Sequence, residues 1–122
     1  MDHNFKIDEL EVFVVKDRKA LGDYAAKRTA ERIKQIASEK ADVNIIFAAA
    51  PSQNEFLECL LMDADIPWGH INAFHMDEYL GLPDDAPQSF GNFLNEKIFN
   101  HVPLKSVNLI NGHTADVEQE CI

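Results

Sequence analysis

The chain has 122 residues, 46% of them apolar and 26% charged, which is the composition of one globular domain and excludes a collagen-like, disordered or disulfide-scaffold protein. No run approaches the ~18 apolar residues that a membrane helix needs, and the start, Met1-Asp2-His3-Asn4-Phe5-Lys6, has neither the basic nor the apolar region of a secretion signal. Lys and Arg total 11 against 21 Asp and Glu, a net charge of −10 that opposes binding to a phosphate backbone, so nucleic acid is not an expected partner.

The charge is uneven: Lys97 and Lys105 are the only basic residues after position 40. Two cysteines, Cys59 and Cys121, lie far apart without metal-ligand spacing and suit a reducing compartment. With no targeting signal, the expected location is the cytoplasm and no membrane partner is expected.

In chain order, the β-branched, apolar run Leu10-Glu11-Val12-Phe13-Val14-Val15 predicts a strand. Leu21, Tyr24, Ala25, Ile33, Ile36 and Ala37 recur at helical steps and predict a helix from Ala20 to Lys40. Val43 to Ala48 is almost continuously apolar, as is a strand covered on both faces. Ala49-Ala50-Pro51-Ser52 is a turn, with Ser52 and Glu55 placed as a capping box for a helix through Phe56, Leu57, Leu60 and Leu61. His70 to His75 predicts a third strand, and Met76 to Gln88 a loop marked by Gly81, Pro83 and Pro87. A helix from Ser89 to Asn100 lacks a Glu or Gln three positions after its serine. Val107 to Ile110 predicts a short strand, Asn111-Gly112 a turn, and the last residues a helix that has only begun. This alternation implies an α/β fold with a doubly wound, mostly parallel sheet and helices on both faces. The unfinished last helix leads to the expectation that the chain is the N-terminal part of a longer protein.

Ligands of such sheets bind beyond the carboxyl ends of strands, which singles out two loops. In Ala49-Ala50-Pro51-Ser52-Gln53 the hydroxyl and the amides of the following helix start suit an anion, although an ordinary capped turn has the same spacing. In Phe74-His75-Met76-Asp77-Glu78-Tyr79 two adjacent carboxylates end a strand, where acid–base chemistry is well served. Adjacent side chains diverge, so at most one is expected to face a ligand, and a solvated loop pair remains the alternative. His75 with Asp77 lacks a third metal ligand, and His70 and His75, five apart on a strand, point to opposite sides. Neither a metal nor a cofactor is expected. Trp68, Cys59 and the phenylalanines 90, 93 and 99 read as packing residues, and His101 and His113 as surface residues.

The block Ala73-Phe74-His75-Met76-Asp77-Glu78-Tyr79-Leu80-Gly81-Leu82-Pro83 resembles the F-x-M-D-E-Y-x-G-L-P signature of the glucosamine-6-phosphate deaminases. Gln88-Ser89-Phe90, Asn92-Phe93-Leu94, Phe99-Asn100-His101-Val102 and Val107-Asn108-Leu109-Ile110-Asn111-Gly112 are similar to the following helix, strand and turn of that family. The family shares its fold with 6-phosphogluconolactonases and with sugar-phosphate sensor domains. The resemblance implies that Asp77 is the general base that moves a proton between C1 and C2 of a ring-opened amino sugar, with Glu78 supporting it. It implies a sugar phosphate as the small-molecule partner and leaves self-association open. It places Ser52 at the hydroxyl position of a phosphate loop whose glycines are missing here. The family's later Gly-rich segment, ring-opening histidine and acidic partners have no counterpart in this sequence, and the 122 residues alone are expected not to turn over the substrate. Two readings follow: an amino-sugar-phosphate isomerase/deaminase (or, on the same fold, a lactonase), and a non-catalytic sugar-phosphate sensor, which the glycine-free loop favours.

Overall fold

The computed structural model describes residues 3–122; Met1 and Asp2, the first residues of the stretch read as carrying no signal, lie outside them. The first element is one that the sequence reading did not anticipate. β1 (His3–Ile7) pairs antiparallel with β2 (Leu10–Val14), so the strand expected at Leu10 belongs to a hairpin and not to the parallel sheet. Asp8 makes the tight turn, with φ +52°, a left-handed conformation that Asp tolerates better than most residues. The hairpin rests on the long helix α1 (Arg18–Glu39): the Phe13 ring lies 5.0 Å from that of Tyr24, with the Arg28 guanidinium over it.

Asp17 caps α1 by accepting from the Ala20 amide. The buried positions Gly22, Ala26, Ala30 and Ile33 recur every three to four residues, and three of them are small. That stripe lets α2 (Asn54–Leu61) approach closely. A Cβ built on Gly22 would stand 2.7 Å from the backbone carbon of Glu55, and backbone cannot swing aside as a flexible side chain can. Gly22→Ala is therefore expected to destabilise the chain by about 1–3 kcal/mol through overpacking, against a gain of roughly 1 kcal/mol in helix propensity. Thermal unfolding followed by circular dichroism reads the balance; an unchanged or raised Tm would show that the two helices part freely.

β3 (Val43–Phe47), β4 (Ile71–His75) and β5 (Ser106–Asn108) form a parallel sheet in the order β3-β4-β5, with Val43 opposite Ile71 and Phe47 opposite His75. The α/β class and the parallel sheet are as expected. α2 follows β3, and α3 (Phe90–Lys97) follows β4. On one face of the sheet Val43, Phe47, Ile71 and Ala73 join Ala26, Ile33, Leu57, Leu60, Leu94 and Ile98 in one buried cluster. Alternate residues point the other way, and there Ile46 is 69% exposed and Phe74 38%. That face carries a ladder of polar side chains: Asn72 donates to Asn44, Ser106 to Asn72 and Asn108 to Ser106. Among the described residues the helices that build the core therefore lie against one side of the sheet, and the other side is open. The short helix α4 (Val117–Glu120) closes the described chain, and no described helix is long and apolar enough to cross a membrane.

Candidate active site

The two loops singled out above leave neighbouring strands at the same end of the sheet. The Met76 amide donates to the Phe47 carbonyl across 3.1 Å, which continues the β3–β4 pairing to the point where both chains turn away. On the open face of this strand pair lies a depression of about 500 Å³, lined by Asn44, Ile46, Phe74, His75 and Met76.

The first loop is not built as expected. Ala50 is extended, residues Pro51–Gln53 make one 3-10 turn, and α2 starts at Asn54. The hydroxyl of Ser52 caps neither turn nor helix, and Glu55 forms no capping box. Glu55 is taken instead by Arg18, whose Nε and Nη2 donate to its two oxygens at 2.9 and 2.7 Å, while Nη2 also donates to the Pro51 carbonyl at 2.9 Å. The bidentate arginine pins the loop to α1 and holds the Glu55 carboxyl below its ordinary range. Ser52 is left exposed beside a groove of about 460 Å³ that Arg18, Gln53 and Phe56 also line. Ala49, Ala50 and Gln53 are half-buried and Pro51 exposed. Arg18 was not singled out in the sequence, because it acts across 33 and 37 residues and no local spacing marks it.

In the second loop the adjacent carboxylates do diverge. Asp77 is exposed. Glu78 turns inward onto the start of α3, where its oxygens accept from the amides of Tyr79, Phe90 and Gly91, each at 2.9 Å, and from the Ser89 hydroxyl at 3.1 Å. Ser89 in turn accepts from the Asn92 amide. The helix that lacked a capping-box acid in its own sequence thus receives one from eleven residues upstream. Burial alone would raise the Glu78 carboxyl, but the amide and hydroxyl donors outweigh it and hold the group below the ordinary glutamate value. The sequence reading set Glu78 beside Asp77 as a catalytic neighbour; the structure occupies it with these bonds and leaves Asp77 as the carboxylate that faces outward.

His75, the last residue of β4, is 5% exposed, and its Nε2 accepts from the Ile110 amide at 2.7 Å. Burial lowers its pKa, and the nearby Glu78 and Asp77 offset this only in part. His70 lies in a 3-10 turn ahead of β4, is exposed, and does not meet His75. The remaining candidates fall into ordinary places. Cys59 donates its thiol to Asp23, and that carboxylate, with burial, pushes the thiol pKa up, the opposite of an activated nucleophile. Phe99 is buried, Phe93 and Trp68 pack on the core, and Phe90 stacks on Tyr79 at 4.6 Å. His101 and His113 are exposed.

Two loops thus leave the carboxyl end of a parallel sheet, one with an outward acid and one with a hydroxyl. The chain is 31% identical over 107 residues to glucosamine-6-phosphate deaminases of Yersinia pestis (strain Pestoides F) and Yersinia pseudotuberculosis (serotype O:3, strain YPIII), matching 83% of its own length. The solved structure of a monomeric glucosamine-6-phosphate deaminase superposes with a TM-score of 0.74 at 27% identity, over 88% of this chain and 45% of that one. The chain therefore has the α/β fold of that deaminase. A 6-phosphogluconolactonase from Thermotoga maritima superposes with a TM-score of 0.76 at 22% identity, over 89% of this chain and 49% of that one, which speaks for the fold alone. No protein-family model matches the chain. The chain spans about 40% of the length of the curated deaminases it matches.

Proposed function

We propose that this chain carries the base and part of the phosphate-binding surface of an amino-sugar-phosphate isomerase and deaminase acting on glucosamine 6-phosphate. The observation that carries the reading is the division of labour in the Asp77-Glu78 pair. Glu78 is spent on α3, and that attachment fixes the backbone from which Asp77 projects, exposed, at a strand end. A carboxylate so held can take the C2 proton of the ring-opened sugar while the electron pair moves toward C1, and return the proton to C1. Aldose then becomes ketose, and water displaces the nitrogen as ammonia. The exposed Ser52 hydroxyl supplies a hydrogen bond for the phosphate, while the amides of Gln53 and Asn54 are already given to the Ala50 and Pro51 carbonyls. With Arg18 already neutralised by Glu55, anion binding there rests on dipoles and the hydroxyl rather than on a free cation. The names of the deaminase relatives support the substrate class.

Titration of the chain with glucosamine 6-phosphate, followed by amide NMR, is expected to shift residues 49–53 and 76–79 together, and unphosphorylated glucosamine to leave 49–53 unmoved. In a preparation that releases ammonia from glucosamine 6-phosphate, Asp77→Asn is expected to lower turnover by several orders of magnitude with binding largely retained. Wild-type rates in that variant would remove Asp77 as the base. The glycine-free loop at 49–53 favours a second reading, a sugar-phosphate-binding domain without catalysis, for which binding persists and Asp77→Asn changes nothing else.

A further inference from the structure

The imidazole of His75 is the one buried titratable ring in the described chain, and the chemistry above makes no use of it. Its environment fixes its proton. An amide N–H can only donate, so Nε2, which receives the Ile110 N–H at 2.7 Å, must carry a lone pair, and the ring proton of the neutral imidazole sits on Nδ1. Nδ1 is buried and has no hydrogen-bond partner among the described residues, a cost that folded proteins rarely accept without return. The return lies in what the Ile110 bond holds. Two residues on, the Gly112 carbonyl accepts from the Gly81 amide at 3.0 Å. Residues 75–81 and 110–112 thus form a ring of chain closed by hydrogen bonds at both ends, with Asp77 on its outer arc. Within the ring Gly112 lies against the Tyr79 carbonyl, so close that a Cβ there would stand 2.2 Å from that oxygen.

We infer that His75 is a positioning residue: through its Nε2 lone pair it anchors the 109–112 segment to the end of β4, and through that segment it fixes the far end of the loop that carries Asp77. Its meaning for catalysis rests on Asp77 being the base; the geometry itself does not. Two substitutions separate the hydrogen bond from mere filling of space. His75→Phe keeps a flat ring and loses the acceptor. His75→Gln loses the ring, and its side-chain oxygen reaches about as far as Nε2.

Amide hydrogen exchange is measured at Ile110, Gly81 and Asp77 in the substrate-free chain, with Leu57 and Ile71 in the core as references. His75→Phe is expected to speed exchange at Ile110 and Gly81 by about tenfold relative to those references, the change that loss of one net hydrogen bond brings, and His75→Gln to restore most of the protection. Retained protection in His75→Phe would overturn the inference, and so would a His75→Gln variant as unprotected as the phenylalanine one. Should either variant fail to fold, the ¹⁵N spectrum of the wild-type imidazole decides. A protonated Nδ1 with an unprotonated, hydrogen-bonded Nε2 upholds the anchor, and the opposite tautomer overturns it. These readouts need no substrate, so a chain that releases no ammonia leaves the inference standing, and an intact loop in His75→Phe overturns it whatever Asp77 does.

Discussion

Gly112→Ala is expected to lower stability by about 3 kcal/mol or more, the upper end of what overpacking costs, and to lower the Tm by roughly 10 °C in a domain of this size. The physical reason is the 2.2 Å that would separate the new Cβ from the Tyr79 carbonyl oxygen, with the Cγ of Glu78 at 3.0 Å as well. Both neighbours are fixed: the oxygen is backbone, and Glu78 is held by its four donors. Relief requires the 78–81 segment to move away from the turn, which breaks the Gly81–Gly112 bond and carries Asp77 with it. Gly69→Ala is the control. Nothing lies within 4 Å of its Cβ position, so its effect is expected within about 0.5 kcal/mol. Equal Tm values for the two variants would show that the loop yields at no cost.

Glu78→Gln is expected to cost about 2–4 kcal/mol, since hydrogen bonds to a charged acceptor are worth about 1.5–3 kcal/mol each and those in one network do not add. The amide side chain keeps one acceptor oxygen but turns an NH₂ toward groups that are themselves donors. The same substitution changes the response to acid. The folded chain holds the Glu78 carboxyl below its unfolded value, because amide and hydroxyl donors outweigh burial. Its contribution is therefore complete above the unfolded glutamate range and is lost as acidification passes through the lower, folded value. Urea unfolding at a series of pH values from neutral downward is expected to show a smaller acid-dependent loss in Glu78→Gln than in the wild type. Parallel pH curves would mean that the carboxylate is not charged in the clamp.

The elements and the site were legible to different degrees, for reasons that lie in distance along the chain. The apolar run at Val43–Phe47 and the helical spacing from Leu21 to Ala37 are local signals, and the strand and helix they announce are present. The divergence of Asp77 and Glu78 was legible because neighbouring side chains on an extended backbone must part. What Glu78 parts toward was not, because three of its four donors are eleven to thirteen residues ahead. Ser52 and Glu55 have capping-box spacing, yet Arg18, 37 residues earlier, competes for the acid more strongly than a backbone amide does. The antiparallel partner of β2 escaped notice because His3–Ile7 mixes charged, polar and apolar residues, and its pairing depends on a left-handed Asp8 that no spacing rule marks.

The open side of the β3–β4 pair sets a colloidal condition on the chain. Ile46 and Phe74, with Met76 just beyond the strands, offer water an oily strip beside a row of amide and hydroxyl groups. Two chains meeting there would bury that strip, and the net charge of −10 adds mutual repulsion to the cost of drying the polar row. Repulsion of that kind reaches about 10 Å at 0.1 M salt and about 3 Å at 1 M. Raising the salt is therefore expected to favour self-association of the chain at this face.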